Sequence, residues 1–238
     1  MSDKLLSFDD VVERTKQGKR YLLLGNGFSM AYDKARFSFT SLLESAVDKK
    51  IIEIESPVYK LFQKLETSDF EYVMKLLEDA QRVVDCYSIG NNLKDNLSKD
   101  AKSLKEYLVK IITNNHPDKI TEIPDDKFNN TLIFLGLFSS IYSLNYDLLL
   151  YWSAIKHYER NSRQEGFTDG FGCVSKDNAE LVFKNNSNTG KQTLFHLHGG
   201  LHLYDNGHEF QKLKYDIGHT LKDQVLGKLN NNIYHIFI

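Results

Sequence analysis

The sequence contains few cysteines and prolines and carries little net charge. Two of the 238 residues are cysteine, Cys86 and Cys173, and their sequence surroundings are unrelated. This argues against a disulfide framework and against a four-cysteine zinc module, and we interpret both cysteines as structural. The formal net charge of −2 at pH 7 provides neither a broadly basic surface nor an acidic tail. No nucleic-acid partner is therefore expected.

The sequence also lacks long apolar runs. Each run is far shorter than the roughly 20 residues that cross a bilayer, and residues 1–10 carry acidic side chains where a signal peptide continues its apolar stretch. We therefore expect a cytoplasmic protein that does not bind a membrane. The composition, 41% hydrophobic and 26% charged, is typical of a globular protein.

Short apolar runs alternate with longer segments of helical periodicity. The runs that predict buried strands are 20–24, 139–145, 193–198 and 233–238. The segments that predict helices are 7–17, a block at about 40–138, 147–160 and 218–230, with a further helix starting near 28. Within 161–193 we expect loops and one short strand at 180–184, and 201–204 with 208–215 form a possible hairpin.

Local signals mark three of the helix starts. Ser7 precedes two acidic residues, Pro57 fits a first-turn position, and the segment from Ser68 to Glu71 matches a capping box. The alternation predicts an α/β fold whose sheet is mainly parallel, with the block 40–138 as a large helical insertion. Since no loop follows the strand at 233–238, we expect the chain to be incomplete at its C-terminus.

The first polar motif is Gly25-Asn26-Gly27-Phe28-Ser29, directly after the first strand. Glycine permits unusual backbone angles and lets a phosphate approach main-chain amides. The full dinucleotide fingerprint is absent because its third glycine position holds Met30, and no P-loop lysine follows. A tight strand-to-helix turn, with Ser29 as a helix cap, is the alternative.

The second motif is Asn145-Tyr146-Asp147, at the end of the second strand. Residues two apart share a face of an extended strand, so both polar side chains are expected to point to one ligand. In the alternative, Asp147 caps the following helix and Asn145 closes a turn.

The third motif is His196-Leu197-His198-Gly199, at the end of the third strand. Two histidines two apart are expected to share a strand face, and His198 beside the glycines suits general-base chemistry. His196 fits a buried core position. A metal site is a second possibility, with both histidines joined by candidates from the following segment: His202, Asp205, His208 and Glu209. In a separate tight loop, Asp169-Gly170-Phe171-Gly172, the Phe171 ring is predicted to cover a ligand or to anchor a surface turn.

Taken in order, these segments resemble the sirtuin-like family of NAD-consuming enzymes, and its prokaryotic anti-phage defence branch in particular. That family has a Gly-x-Gly-x-Ser loop, an Asn-x-Asp element and a His-Gly pair after successive strands. The resemblance implies a Rossmann-like fold and one NAD-binding domain over 1–238. NAD is the implied substrate, and no metal is expected.

The resemblance also implies a role for each matching residue. The loop from Gly25 to Ser29 would hold the pyrophosphate and the adjoining ribose. Asn145 would position the nicotinamide ribose and the attacking water, while Asp147 would contact the carboxamide or hold its loop. His198, followed by Gly199, would act as base on a ribose hydroxyl.

Two departures from the family favour plain NAD cleavage over protein deacylation. The chain cannot form the four-cysteine zinc module of the deacylases, and Leu144 stands where they have glutamine before the asparagine. We therefore expect an NAD glycohydrolase, controlled through a homo-oligomer or a regulatory partner of the helical insertion. The alternatives are a non-catalytic module that senses NAD or ADP-ribose, and a metal-dependent hydrolase built on His196 and His198.

Overall fold

The protein folds as two compact units, Met1–Phe28 with Asp118–Ile238 and Ser29–Pro117. The computed structural model describes residues 5–88, 90–160, 167–173, 181–184, 193–214, 218–231 and 233–237. The parts of the predicted loop region at 161–166, 174–180 and 185–192 lie outside the described residues. The prediction of a single NAD-binding domain with an insertion at 40–138 stays a prediction.

Helices account for most of the regular structure. In chain order they are α1 Phe8–Arg14, α2 Asn26–Tyr32, α3 Lys34–Phe37, α4 Phe39–Asp48, α5 Pro57–Lys64, α6 Phe70–Cys86, α7 Asn91–Asn115, α8 Asp125–Leu135, α9 Leu149–Arg160 and α10 Leu221–Asn230. A short 3-10 helix covers Ile120–Glu122. None of the helices in the described ranges is both long and apolar enough to cross a membrane.

The strands form two sheets. In chain order they are β1 Tyr21–Leu24, β2 Ser140–Ser143, β3 Phe171–Cys173, β4 Leu181–Phe183, β5 Leu194–His196, β6 Gly199–Asp205, β7 Phe210–Lys212 and β8 Tyr234–Phe237. A three-stranded parallel sheet has the order β1-β2-β5, and a five-stranded antiparallel sheet has the order β3-β4-β7-β6-β8. The mixed α/β class with a parallel sheet is as predicted, but five of the eight described strands lie in the antiparallel sheet, so the expectation of mainly parallel strands is wrong.

The parallel sheet has its apolar core on one face. Leu24, Ile141 and Leu194, one from each strand, pack together with Leu150 and Ala154 of α9. Each of these strands is only three or four residues long. Side chains two positions apart on a strand point to the same face, so each strand turns one set of side chains toward this core. The prediction of strands from these short apolar runs is confirmed, but β1 is buried on one face only, since Tyr21 and Leu23 are exposed.

The last strand does not join the parallel sheet as the sequence analysis expected. β8 pairs antiparallel with β6, placing Tyr204 opposite His235 and Gly199 opposite Phe237, with a register irregularity between these two pairs. The apolar pattern of 233–238 predicted a strand correctly. It carried no information about which sheet the strand would enter, because both sheets accept apolar residues.

Two predicted helix starts are confirmed and one is shifted. Ser7 caps α1 in a capping box with Asp10, and Ser56 caps α5 with Pro57 in its first turn. α6 begins one residue later than the sequence match suggested, since the Asp69 side chain accepts a hydrogen bond from the Tyr72 amide. An Asp side chain is as effective a cap as Ser, so the sequence offered two adjacent candidates.

The unit formed by Ser29–Pro117 has its own helical core. α6 packs along α7, and the Phe62 ring of α5 contacts the Phe70 ring of α6 at a centroid distance of 5.0 Å. Both phenylalanines are almost fully buried. The predicted helical character of this block is therefore confirmed.

Gly199 allows β8 to pass directly behind the start of β6. Its φ of +77° lies in the left-handed region, and a Cβ built there would lie 1.9 Å from the carbonyl oxygen of Ile236. Gly207 also has a positive φ, +87°, but no described heavy atom lies within 4 Å of its Cβ position. At Gly207 only the left-handed backbone conformation favours glycine. At Gly199 both that conformation and the close approach of Ile236 require it.

We expect Gly199→Ala to destabilise the fold far more than Gly207→Ala. The Gly207 change adds left-handed strain alone, about 1 kcal/mol, whereas the Gly199 change adds a clash as well, for about 3 kcal/mol or more. Urea unfolding of the two variants and the parent measures the difference. Equal losses in both variants would contradict the described crossing of β8 behind Gly199.

Candidate functional site

The parallel sheet brings its three strand ends into one row. Leu24 of β1 is in register with Ser143 of β2, and Ser143 is in register with His196 of β5. The ladder continues one step further, because the Leu144 amide donates to the Leu24 carbonyl and the Leu197 amide donates to the Ser143 carbonyl, both at 2.9 Å. The segments after the three strands therefore begin side by side at one edge of the sheet.

The glycine segment is the start of a helix and not a loop. α2 begins at Asn26, and the Phe28 amide donates to the Gly25 carbonyl at 3.0 Å. Neither Gly25 nor Gly27 is among the described glycines with a positive φ, so the expectation that they supply unusual backbone angles is wrong. No described heavy atom lies within 4 Å of a Cβ built at either glycine. Open space at the backbone fits the second part of the prediction, the close approach of a ligand.

Phe28 and Ser29 are placed differently from each other. Phe28 packs partly buried against the core of the parallel sheet. Ser29 lies inside α2 and is fully buried. The alternative of Ser29 as a helix cap is therefore wrong, and the next helix, α3, is capped by Asp33.

Asn145 and Asp147 follow β2 and do not lie on it, since the strand ends at Ser143. The expectation of a shared strand face therefore does not hold. The Asn145 amide donates to the Ser143 hydroxyl at 3.1 Å, and the Asp147 carboxylate accepts from the Leu149 amide at 2.9 Å, at the start of α9. Both side chains are buried. This contact is the one expected from the alternative in which Asp147 caps the following helix, and it also fits the role of holding its loop.

His196 and His198 do not share a strand face either. β5 ends at His196, and His198 lies in the turn before β6. This turn places the His198 ring 6.1 Å from the Tyr146 ring, between centroids. The Leu201 amide donates to the Tyr146 carbonyl at 2.8 Å, which fixes the start of β6 against the same segment. The structure thus brings the His198 turn next to the residue that follows Asn145.

The other predicted site residues have local explanations. Gly199 is required by the close passage of Ile236. Phe171 lies on β3 in the antiparallel sheet, edge to face with Phe183 at 5.4 Å between centroids. The structure does not place Phe171 at the edge of the parallel sheet, and its role as a ligand cover stays a prediction.

A family model matches most of the chain. The match covers residues 22–238, and the family is described as a domain of unknown function, DUF4917. The chain belongs to the DUF4917 family. Comparison with curated proteins finds no match.

Behind the strand ends, this DUF4917 domain has a buried polar cluster that the sequence analysis did not assemble. The His202 ring of β6 stacks on the Tyr151 ring of α9 at 4.7 Å and meets the His196 ring edge to face at 4.6 Å, between centroids. Lys212 of β7 forms an ion pair with Asp169 at 2.5 Å. In the sequence His202 is a candidate metal ligand only, and no local pattern singles out Lys212.

The histidines of this cluster have low pKa values. Burial lowers the pKa of His196 to about 4, with the nearby Lys212 acting in the same direction and Asp169 in the opposite one. Burial also holds the pKa of His202 well below its ordinary range, and His196 and Lys212 add to this. These imidazoles are therefore neutral at pH 7.

Within the described ranges no group of three or more histidine, cysteine or acidic side chains is arranged to hold a metal ion.

The pKa of His235 in β8 is also lowered. This histidine is buried, and burial lowers its pKa to about 4, although hydrogen bonds with backbone groups act in the opposite direction. An unfolded chain has a histidine pKa near 6.5, so it takes up the proton first when the pH falls. The contribution of His235 to stability is therefore present above pH 6.5 and is lost between pH 6.5 and 4.

We expect His235→Asn to reduce the pH dependence of stability in this DUF4917 domain. The free energy of unfolding should fall less between pH 7.5 and 4 in the variant than in the parent, by about 3 kcal/mol. Urea unfolding at both pH values measures this difference. The exposed His208, changed to Asn, is the matched control and should behave like the parent. Identical pH dependence in all three proteins would contradict the assignment.

Proposed function

We propose that this DUF4917 domain is an NAD glycohydrolase that cleaves NAD to nicotinamide and ADP-ribose. The observation that carries the proposal is the row formed by Leu24, Ser143 and His196, after which the glycine, asparagine and histidine motifs begin side by side. In open α/β sheets, ligands bind outside the carboxyl ends of parallel strands. The similarity of the motifs to sirtuin-like enzymes supplies the substrate.

The proposed architecture is Rossmann-like. In the chain, α8 lies between β1 and β2, and α9 lies between β2 and β5. This order is compatible with a Rossmann-like fold, because parallel neighbouring strands require a crossover connection.

The cytoplasmic location and the role in anti-phage defence belong to the same proposal and rest on the sirtuin-like resemblance. Control through the helical unit also belongs to it, and α6 offers the half-exposed apolar side chains Tyr72 and Val83 for a partner.

In this proposal the backbone from Gly25 to Phe28 holds the pyrophosphate. The space in front of Gly25 and Gly27 supports this, since a side chain at either position would occupy it. The neighbouring Asn145 positions the nicotinamide ribose and a water molecule. Asp147 keeps the Asn145 segment in place through its hydrogen bond to the Leu149 amide.

The proposed chemistry needs little covalent assistance. Nicotinamide departs from the ribose, leaving an oxocarbenium-like centre that one oriented water attacks. Holding that water at Asn145 supplies proximity. His198 accepts a proton from a ribose hydroxyl and so raises electron density on the ribose, a contribution of about 10²–10⁴-fold for a general base. The proposed reaction uses no metal.

Plain hydrolysis of NAD is favoured over removal of an acyl group from a protein lysine for reasons visible in the sequence. Deacylases of the sirtuin-like family carry a zinc module with four cysteines, and this chain has two cysteines. Leu144, which precedes Asn145, replaces the glutamine of those enzymes. Its amide is used in the sheet ladder with Leu24.

We expect Asn145→Ala and His198→Ala each to abolish turnover of NAD and to leave the chain folded. The loss should be at least about 100-fold in kcat, because each change removes a group that acts on the reacting ribose or water. Release of nicotinamide and ADP-ribose is followed by chromatography. His208→Ala, an exposed histidine in the turn between β6 and β7, is the control and should keep parental activity. Well-folded variants with parental turnover would refute the assigned roles.

Gly27→Ala separates a ligand role of the glycine segment from a structural one. Because Gly27 lies inside α2 with open space at its Cβ position, alanine should keep or raise the stability, by up to about 1 kcal/mol. The same methyl group should obstruct the pyrophosphate and raise the Kd for NAD about tenfold or more. Calorimetric titration and thermal unfolding measure the two effects. A stable variant with parental affinity would remove Gly27 from the site.

A further inference from the structure

Asp169 and Lys212 form a buried ion pair. The Lys212 ammonium lies 2.5 Å from the Asp169 carboxylate, and the side chains are only 9% and 14% exposed. The two residues are 43 positions apart in sequence, one in the segment before β3 and the other on β7. Burying two charges is unfavourable unless each has close partners. The partners of the carboxylate and of the ammonium therefore indicate which segments the pair holds in place.

On one side the pair holds Phe171. The second carboxylate oxygen of Asp169 accepts a hydrogen bond from the Phe171 amide at 3.2 Å. The Lys212 ammonium lies 5.4 Å from the centre of the Phe171 ring, within the range of a cation–π contact. The backbone and the ring of Phe171 are therefore both tied to the pair.

On the other side the pair reaches the His198 turn through stacked rings. The Lys212 ammonium lies 5.0 Å from the centre of the Tyr151 ring, and Tyr151 stacks on His202. The His202 ring in turn contacts His196 and lies against Gly200, where an added Cβ would be 3.1 Å from it. This continuous series of contacts ends at the segment that carries His198.

The backbone of the Asp169 segment reinforces the connection. The Thr168 carbonyl accepts hydrogen bonds from the Thr193 and Leu194 amides, at 2.8 and 2.9 Å, at the start of β5. Asp169 is therefore attached to the parallel sheet by its neighbour and to the antiparallel sheet by Lys212. The Asp169 segment therefore connects the two sheets.

We propose that the Asp169–Lys212 pair is a positioning element of the candidate nucleotide site, which fixes Phe171 on one side and the His196–Gly200 segment on the other. The inference rests on the proposed function, since it assigns a role within that site. Neither residue contacts the reacting atoms in this proposal. Both residues act on the site through the rings that contact the pair and its neighbours, which are those of Phe171, Tyr151, His202 and His196.

The test removes both charges together and keeps the shape. Lys212→Met alone leaves a buried unpaired carboxylate, and the Tm should fall by about 10 °C. The double variant Lys212→Met/Asp169→Asn should recover most of that loss, because no charge is left unpaired and Asn still accepts from the Phe171 amide. With stability restored, kcat/KM for NAD should stay about 10- to 100-fold below the parent, mainly through a higher KM. Lys212→Arg, which retains the charge, should keep most of the parental value.

A second measurement does not depend on turnover. Amide hydrogen exchange in 167–173 and 193–200 should be faster in the stability-matched double variant than in the parent, whereas exchange in α1 should be unchanged. If the parent does not cleave or bind NAD, the proposed function fails, and the exchange rates still decide whether the pair positions these segments. If the double variant does not fold, Lys212→Met gives the exchange contrast when it is measured well below its lowered Tm, with α1 as the internal reference. Parental exchange in both segments, together with parental kinetics where the parent is active, would overturn the inference.

Discussion

The parallel pairing of three short strands is the constraint on which the candidate site depends. β1, β2 and β5 are far apart in sequence, and they are joined by backbone hydrogen bonds that end in the same row, at Leu24, Ser143 and His196. A shift of one residue in either pairing would turn the core side chains Leu24, Ile141 and Leu194 away from their common face. The hydrophobic core thus determines the register. The register in turn determines which polar residues meet beyond the strands.

Sequence patterns were sufficient for the strands of the parallel sheet and insufficient for the surroundings of the site, where β3 lies in a segment predicted as a tight loop. The segment Tyr21–Leu24 is recognisable because it is short and uniformly apolar. The start of α2 inside the glycine motif was missed, because glycine is a poor helix former and its presence favours a loop in any local analysis. Lys212 could not be recognised, since its partner Asp169 becomes a neighbour only when β7 enters the antiparallel sheet. Local patterns report secondary structure, and long-range pairs depend on tertiary packing.

The glycines around the site serve two opposite purposes. At Gly25 and Gly27 the missing side chain leaves space open, which a ligand can use. At Gly199 the missing side chain is replaced by the backbone of another strand. A similar division applies to the polar groups. Asn145 and His198 belong to the segments at the sheet edge, whereas His202, Lys212 and Asp169 form the buried layer beneath, where neutral imidazoles and one ion pair limit the amount of uncompensated charge.

The crossing of β8 behind Gly199 also bears on the order of events during synthesis. The carbonyl of Ile236 lies close against the backbone of Gly199, next to His198, although residue 236 is made long after residue 198. A nascent chain that has emerged from the ribosome only as far as β6 therefore has the histidine turn without its backing strand. The final arrangement around His198 therefore forms only when the segment that contains residue 236 is free to pair with β6.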